Sequence, residues 1–244
     1  MNGTRTIATA GRVLNQIRHD PRTVGLLILV PSLLVGLVAW IFTDTTTFQT
    51  IGPAMLALFP FIVMFLVTSI TTLRERRTGT LERLLSMPLG KADFILGYTL
   101  AFGLLAVVQS VVAVGFAVWV CGLTIKGSLW LLLAVALADA ILGTTLGLFV
   151  SAFARTEFQV VQFMPALIFP QILLGGIFIP RDQLPNGLHI ISDWLPLSHA
   201  IDALNAVATN SHDAAYIGGE LLIIGAFALA AIIFGSLTLQ RRTA

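Results

Sequence analysis

Apolar residues fall in six long runs, at 24–42, 53–73, 94–121, 129–153, 158–179 and 217–240, with polar or charged connections between them. Each run meets or exceeds the ~20 residues that an α-helix needs to cross a hydrocarbon core. The third and fourth exceed it well, which predicts tilted spans or helices that project beyond the membrane. Residues 1–23 are different. Ile7, Ala10, Leu14 and Ile17 share one helical face, Arg5, Arg12 and Arg18 lie off it, and Asp20-Pro21 ends the pattern. A basic amphipathic helix of this kind, ahead of a span, suits a cytoplasmic membrane surface.

Between the second and third runs lies the most charged stretch of the chain, residues 74–93, of which eight are ionisable. Inside it, Leu81, Leu84 and Leu85 stand at i, i+3 and i+4, so a short helix there has one apolar face, with Glu82 and Arg83 pointing away. Thr78, Gly79 and Thr80 are start residues for that helix, and Pro88 with Gly90 stops it. It is too short to hold its shape alone and needs a surface to lie on. The longest connection, 180–216, carries its own pattern at Leu188, Ile191, Leu195 and Ile201, broken by Pro180, Pro185 and Pro196. It is read as one or two short helices on, or dipping into, the outer leaflet. The expected fold is an all-α polytopic membrane protein of six spans forming one domain over residues 1–244.

Composition sharpens this. Charged residues make up 11% of the chain and mean hydropathy is +0.92, where a soluble domain carries about 25% charged residues. The net charge of +2 says little, but the distribution of charge says a great deal. With the N-terminus inside, twelve of the fourteen Lys and Arg fall on the inner side: four before the first run, five in 74–93, then Arg155, Arg241 and Arg242. Only Lys126 and Arg181 face out. That split orients the chain with both termini cytoplasmic. The lone Cys121 excludes an intramolecular disulfide.

No enzyme site is legible: HExxH, GxSxG, paired cysteines and the phosphate-binding GxxxxGK[ST] are all missing. The spacing of His189, His199 and His212 fits no zinc pattern, so no metal site is expected, nor any nucleic-acid partner. Asp139, near mid-membrane, has two readings: an intramembrane acid with a transport role, or a protonated or hydrogen-bonded acid that packs helices together. Gly143 and Gly147, at GxxxG spacing, permit close helix approach. Pro53 and Pro60 mark the second run, Pro165 and Pro170 the fifth. Near them Phe59, Phe61, Met64, Phe65, Phe163, Met164, Phe169 and Gln171 form a greasy wall that is either lipid-facing or core, or a path for substrate. From this set Phe59, Phe65, Asp139, Met164, Phe169 and Gln171 are the substrate-path candidates.

Two stretches together resemble a known family. Glu75-Arg76-Arg77-Thr78-Gly79-Thr80-Leu81-Glu82-Arg83-Leu84-Leu85-Ser86-Met87-Pro88 is similar to the E-x-x-x-G-T-L-E-x-L-L-x-x-P cytoplasmic loop of type-2 ATP-binding cassette exporter permeases. Gly175-Gly176-Ile177-Phe178-Ile179-Pro180, Leu184-Pro185 and the run from Trp194 to Leu204 resemble that family's signature around its fifth span, with the daunorubicin-resistance-type branch nearest. One departure is Asn205, where the family pattern has arginine.

The resemblance implies a dimer of six-span permeases, a homodimer or a pair with a related chain, seated on two separate ATP-binding subunits in a bacterial plasma membrane. ATP and Mg would be bound by those subunits, and this chain would bind no cofactor. The helix at 81–87 would be the coupling helix, with Glu75, Gly79, Thr80, Leu81, Glu82, Arg83, Leu84, Leu85 and Pro88 carrying ATPase coupling. The amphipathic helix before residue 24 would be the connecting helix. Substrates would be hydrophobic or amphipathic: drugs, lipids or glycoconjugates. The competing reading from the residues alone is a proton-coupled secondary transporter that uses Asp139.

Overall fold

The computed structural model describes residues 3–42, 45–77 and 91–238. Among them no strand occurs. The helices are α1 (Gly3–Arg18), α2 (Pro21–Ile41), α3 (Thr45–Arg77), α4 (Lys91–Gly115), which continues as a π-helical turn at Phe116–Val120, and α5 (Leu129–Ser151). They are followed by α6 (Glu157–Leu174), α7 (Asn186–Asp193), α8 (Pro196–Thr209) and α9 (Ala214–Thr238). Six of these are long and apolar enough to span a membrane: α2, α3, α4 with its π-turn, α5, α6 and α9. They run alternately up and down, so one end of the bundle collects Arg22, Arg74, Arg76, Arg77 and Arg155. The opposite end collects all four tryptophans of the chain, each more than 70% exposed.

The centre of the bundle is the pair α3 and α5, which make the most extensive helix–helix contact. Their closeness is written in two glycines. A Cβ on Gly143 would stand 2.6 Å from the Phe61 carbonyl oxygen, and one on Gly147 2.5 Å from that of Phe65. Without hydrocarbon–water segregation to drive association inside a bilayer, such backbone-to-backbone approach is how spans gain packing. Around the pair, Phe61, Phe65, Phe102, Leu132 and Leu142 are fully buried. α2, α6 and α9 leave most of their apolar surface outward.

Prolines are accommodated rather than breaking spans. Pro31, inside α2, cannot donate to the carbonyl of Leu27 four residues earlier, and the side-chain amide of Gln109 on α4 supplies the missing donor at 3.0 Å. α3 continues through Pro53 and Pro60 and is therefore longer than its apolar run, beginning at Thr45 and ending at Arg77. α6 is shorter than expected. It stops at Leu174 because Gly176 turns into the left-handed region (φ +86°), although Ile177, Phe178 and Ile179 prolong the apolar run. The connection 180–216 becomes a 3₁₀ turn at Arg181–Gln183 followed by α7 and α8. α7 is peripheral, but α8 is a core helix with Leu197, Ile201, Leu204 and Val207 all buried. Of the residues patterned in the sequence, Ile201 faces protein, whereas Leu188 and Ile191 on α7 are exposed.

α1 also differs in detail. The face it buries is Thr9, Ala10, Val13 and Ile17, packed chiefly on α4, while Ile7 stays 66% exposed. At the crossing, Gly97 admits α1: a Cβ there would meet Thr9 at 2.7 Å.

Candidate functional site

Three consecutive residues in the last turn of α3 each reach a different helix. Side chains advance about 100° per residue around an α-helix, so Arg74, Glu75 and Arg76 radiate like spokes. Arg74 grips Glu157 at the start of α6 through two hydrogen bonds, Nε to Oε1 at 2.7 Å and Nη2 to Oε2 at 3.2 Å. Both partners are largely exposed, and such a pair contributes about 0–1 kcal/mol. Arg76 donates to the Ser151 carbonyl at 2.7 Å, closing one of the unpaired carbonyls that end α5.

Glu75 is the buried spoke. Only 4% exposed, it receives a bidentate pair from Arg12 of α1, 3.0 Å to each carboxylate oxygen. Tyr98 of α4 completes the cluster. Its hydroxyl donates to Glu75 and accepts from Arg12 Nη2 at 3.0 Å, while the Arg12 guanidinium lies 5.9 Å from the Tyr98 ring centre. Planar fork-to-fork pairing fixes orientation as well as distance. The point where α3 enters the charged segment is thereby tied to α1, α4, α5 and α6 together.

Of the coupling candidates, Gly79, Thr80, Leu81, Glu82, Arg83, Leu84, Leu85 and Pro88 lie outside the described residues; Glu75 lies within them. The sequence named Glu75 but placed Arg12 on a free polar face. Tyr98, Arg76 and the Arg74–Glu157 pair went unnoticed. The available signals were a tyrosine near the start of a span, one of two in the chain, and acidic Glu157 placed just before another span.

The substrate-path candidates do not converge. Phe65 is core, Phe59 and Met164 are half-buried, and Phe169 is 58% exposed on the outer surface of α6. Gln171 is spent on structure: its amide donates to the Leu167 carbonyl at 2.9 Å and its oxygen accepts from the Leu197 N–H at 3.0 Å, capping α8. Asp139 is fully buried, and neither of its carboxyl oxygens has a hydrogen-bond partner.

A second polar network occupies the tryptophan-bearing end. Arg181 is its hub, donating to Ser192 Oγ at 2.8 Å and pairing with Asp193 and Asp202. Ser192 in turn donates to the Leu174 carbonyl at 2.7 Å and so fastens α7 to the end of α6. His199 sits between Glu220 of α9, 2.6 Å from Nδ1, and the Asp193 carbonyl, 2.9 Å from Nε2. Burial works against the imidazolium, but the Glu220 carboxylate and the Asp193 carbonyl outweigh it, and the His199 pKa stands above its ordinary value. Burial raises the Asp202 carboxyl, against the pull of Arg181. The charged groups Arg181, Asp193, His199, Asp202 and Glu220 line a cavity of about 1190 Å³ together with Gln49, Lys126, Asn205 and Tyr216. None of the substrate-path candidates lines it. Among the described residues no group of His, Cys, Asp and Glu is arranged to hold a metal ion.

Six membrane-length helices, with a buried polar clamp at one end and a polar cavity at the other, define a multi-pass membrane protein. Residues 6–208 match the family model described as ABC-2 type transporter, and the chain belongs to that family. Similar proteins include ABC transporter G family member 20 of Dictyostelium discoideum (27% identical over 64% of this chain and 22% of that protein). Two from Escherichia coli K12 are the probable multidrug ABC transporter permease YbhR (27% identical over 62% of this chain and 41% of that protein) and the inner membrane transport permease YhhJ (26% identical over 60% and 39%). The matched region spans less than half the length of each of these relatives.

Proposed function

We propose that the chain is the membrane-spanning permease of an ATP-driven exporter, moving a hydrophobic or amphipathic substrate out of the cytoplasm or inner leaflet of a bacterial plasma membrane. The observation that carries this reading is the three-spoke end of α3. Arg74, Glu75 and Arg76 bind α6, then α1 with α4, then α5, at the position where the chain enters 78–90, so force applied to that segment reaches these four helices together. Family membership supports the same reading, as do relatives whose names include multidrug permease. ATP and Mg would be held by a separate pair of nucleotide-binding subunits, and the outward apolar faces of α2, α6 and α9 leave room for lipids and a second permease.

The test is copurification with the nucleotide-binding subunit and its ATPase activity. Leu81, Leu84 and Leu85 are proposed to fill an apolar groove on that subunit. Leu84→Arg would strand a charge there, and a loss of ~3 kcal/mol weakens association more than a hundredfold. Arg83→Ala, on the opposite face, should copurify normally. Stoichiometric ATPase on the Leu84→Arg permease would sink the mechanism.

A second reading rests on Asp139, whose unpartnered oxygens at full burial suit a proton carrier. ATP-independent transport that follows a proton gradient and vanishes in Asp139→Asn would favour it. Under the exporter reading Asp139→Asn leaves ATP-driven export largely intact.

A further inference from the structure

His199 has acceptors at both ring nitrogens: a carboxylate oxygen at 2.6 Å from Nδ1 and a backbone carbonyl at 2.9 Å from Nε2. A neutral imidazole offers one donor and one lone pair, so it satisfies only one of these partners. The geometry requires a proton shared by His199 and Glu220, either as imidazolium with carboxylate or as imidazole with carboxylic acid. That proton joins three elements: α8 through His199, α9 through Glu220, and the end of α7 through the Asp193 carbonyl. All three contribute to the lining of the 1190 Å³ cavity.

We propose that the His199–Glu220 pair is a proton-binding latch that fastens α9 to the α7–α8 turn beside the cavity, and that loss of the proton frees α9 from that turn.

Charged and titratable groups from every element packed against the pair surround it. On α8 the neighbour is Asp202. From the turn before α7 comes Arg181, already shared between Asp193 and Asp202. α7 contributes His189 and Asp193, themselves 3.4 Å apart, and α9 contributes Tyr216, which lines the same cavity as Glu220. Asp182 and Lys126 lie further around the same cavity. The electrostatic signs agree with the geometry. A histidine raised in the folded state contributes stability that is complete below its ordinary value of 6.5 and is lost as pH rises through the raised value. Asp202, also raised, works in the same direction: its folded form holds a proton more readily than its unfolded form. The latch is therefore tightest in mild acid.

The experiment is a distance measurement, so it needs no substrate and does not depend on the exporter reading. Which compartment's pH is sensed follows from the orientation of the chain. With Cys121→Ser as background, spin labels at the exposed positions Ile190 (α7) and Ala215 (α9) are read in lipid nanodiscs from pH 5.5 to 9. The expected result is one narrow distance at low pH and a longer, broader distribution at high pH, with the midpoint above 6.5. His199→Ala should give the high-pH distribution throughout.

Glu220→Gln separates a latch from mere packing. Its amide donates to a neutral Nδ1 while Nε2–H still serves the Asp193 carbonyl, so this variant should stay narrow at every pH. A pH-independent distance in the otherwise native chain, or a transition that survives in His199→Ala or Glu220→Gln, would overturn the proposal.

Discussion

At Glu75 a single carboxylate decides how three helices meet. It is buried, and its two oxygens are consumed by Arg12 and Tyr98. Removing one partner of a buried ion pair leaves an uncompensated charge and costs about 3–5 kcal/mol. Glu75→Ala should therefore lower the thermal midpoint of the purified permease steeply, as should Arg12→Ala. The double variant should cost clearly less than the sum, because the second change removes a charge that the first had already stranded. Strict additivity would mean that the clamp carries no coupling. Asp139 presents the converse case. Its carboxyl has no partner to lose, so Asp139→Ala removes a buried unsatisfied group without adding bulk and should roughly hold the midpoint. A fall of more than a few degrees would show a partner for that carboxyl. The two acids also differ in how legible they were. Glu75 stood out because its motif is contiguous. Arg12 lies 63 positions away, and one-dimensional periodicity cannot say which of three arginines on a polar face turns inward.

At the scale of elements, the α3–α5 crossing is the joint on which the other helices lean. Gly143 and Gly147 were readable from their spacing, since small residues one turn apart have one main use in a span. What spacing could not give was the partner, which the structure identifies as the backbone at Phe61 and Phe65. Gly143→Ala puts a methyl 2.6 Å from a carbonyl oxygen, so the helices must separate along their length. The expected outcome is poor recovery of folded protein or a large drop in thermal midpoint. Gly103→Ala on α4, where nothing lies within 4 Å, should be neutral or slightly stabilising, because alanine restricts the unfolded chain. Equal effects at the two sites would deny the crossing its role. The ends of elements were less legible than their existence. α6 ends before its apolar run does, since a positive φ at Gly176 overrides hydrophobicity. α8 turned inward although its pattern suited a membrane surface equally well, because an apolar stripe does not specify whether lipid or protein covers it. The Arg181–His199–Glu220 network escaped notice for a related reason. Its members come from a turn and two helices, with no local spacing to connect them.

For the whole molecule, the decisive asymmetry is between its two ends. Trp40, Trp119, Trp130 and Trp194 sit at one end, all strongly exposed, from the end of α2, the end of α4, the start of α5 and the end of α7. Tryptophan gathers at the level of lipid headgroups, where its ring is half apolar and its N–H can be solvated. These four therefore mark one interface of the bilayer. The other end holds arginines from α1, α2, α3 and the α5–α6 turn. Lys and Arg close to spans resist translocation, so the arginine end is expected in the cytoplasm and the tryptophan end outside. Reporter fusions check this directly. Fusions at Lys126 and at Asn210, the left-handed residue that closes α8, should report an external location, and one at Arg155 an internal one. The same orientation would put 78–90 within reach of a cytoplasmic ATPase and turn the His199–Glu220 latch toward external pH. A reversed pattern would remove the ATPase docking site from the cytosol, and the exporter reading would go with it, while the distance between Ile190 and Ala215 would still respond to pH.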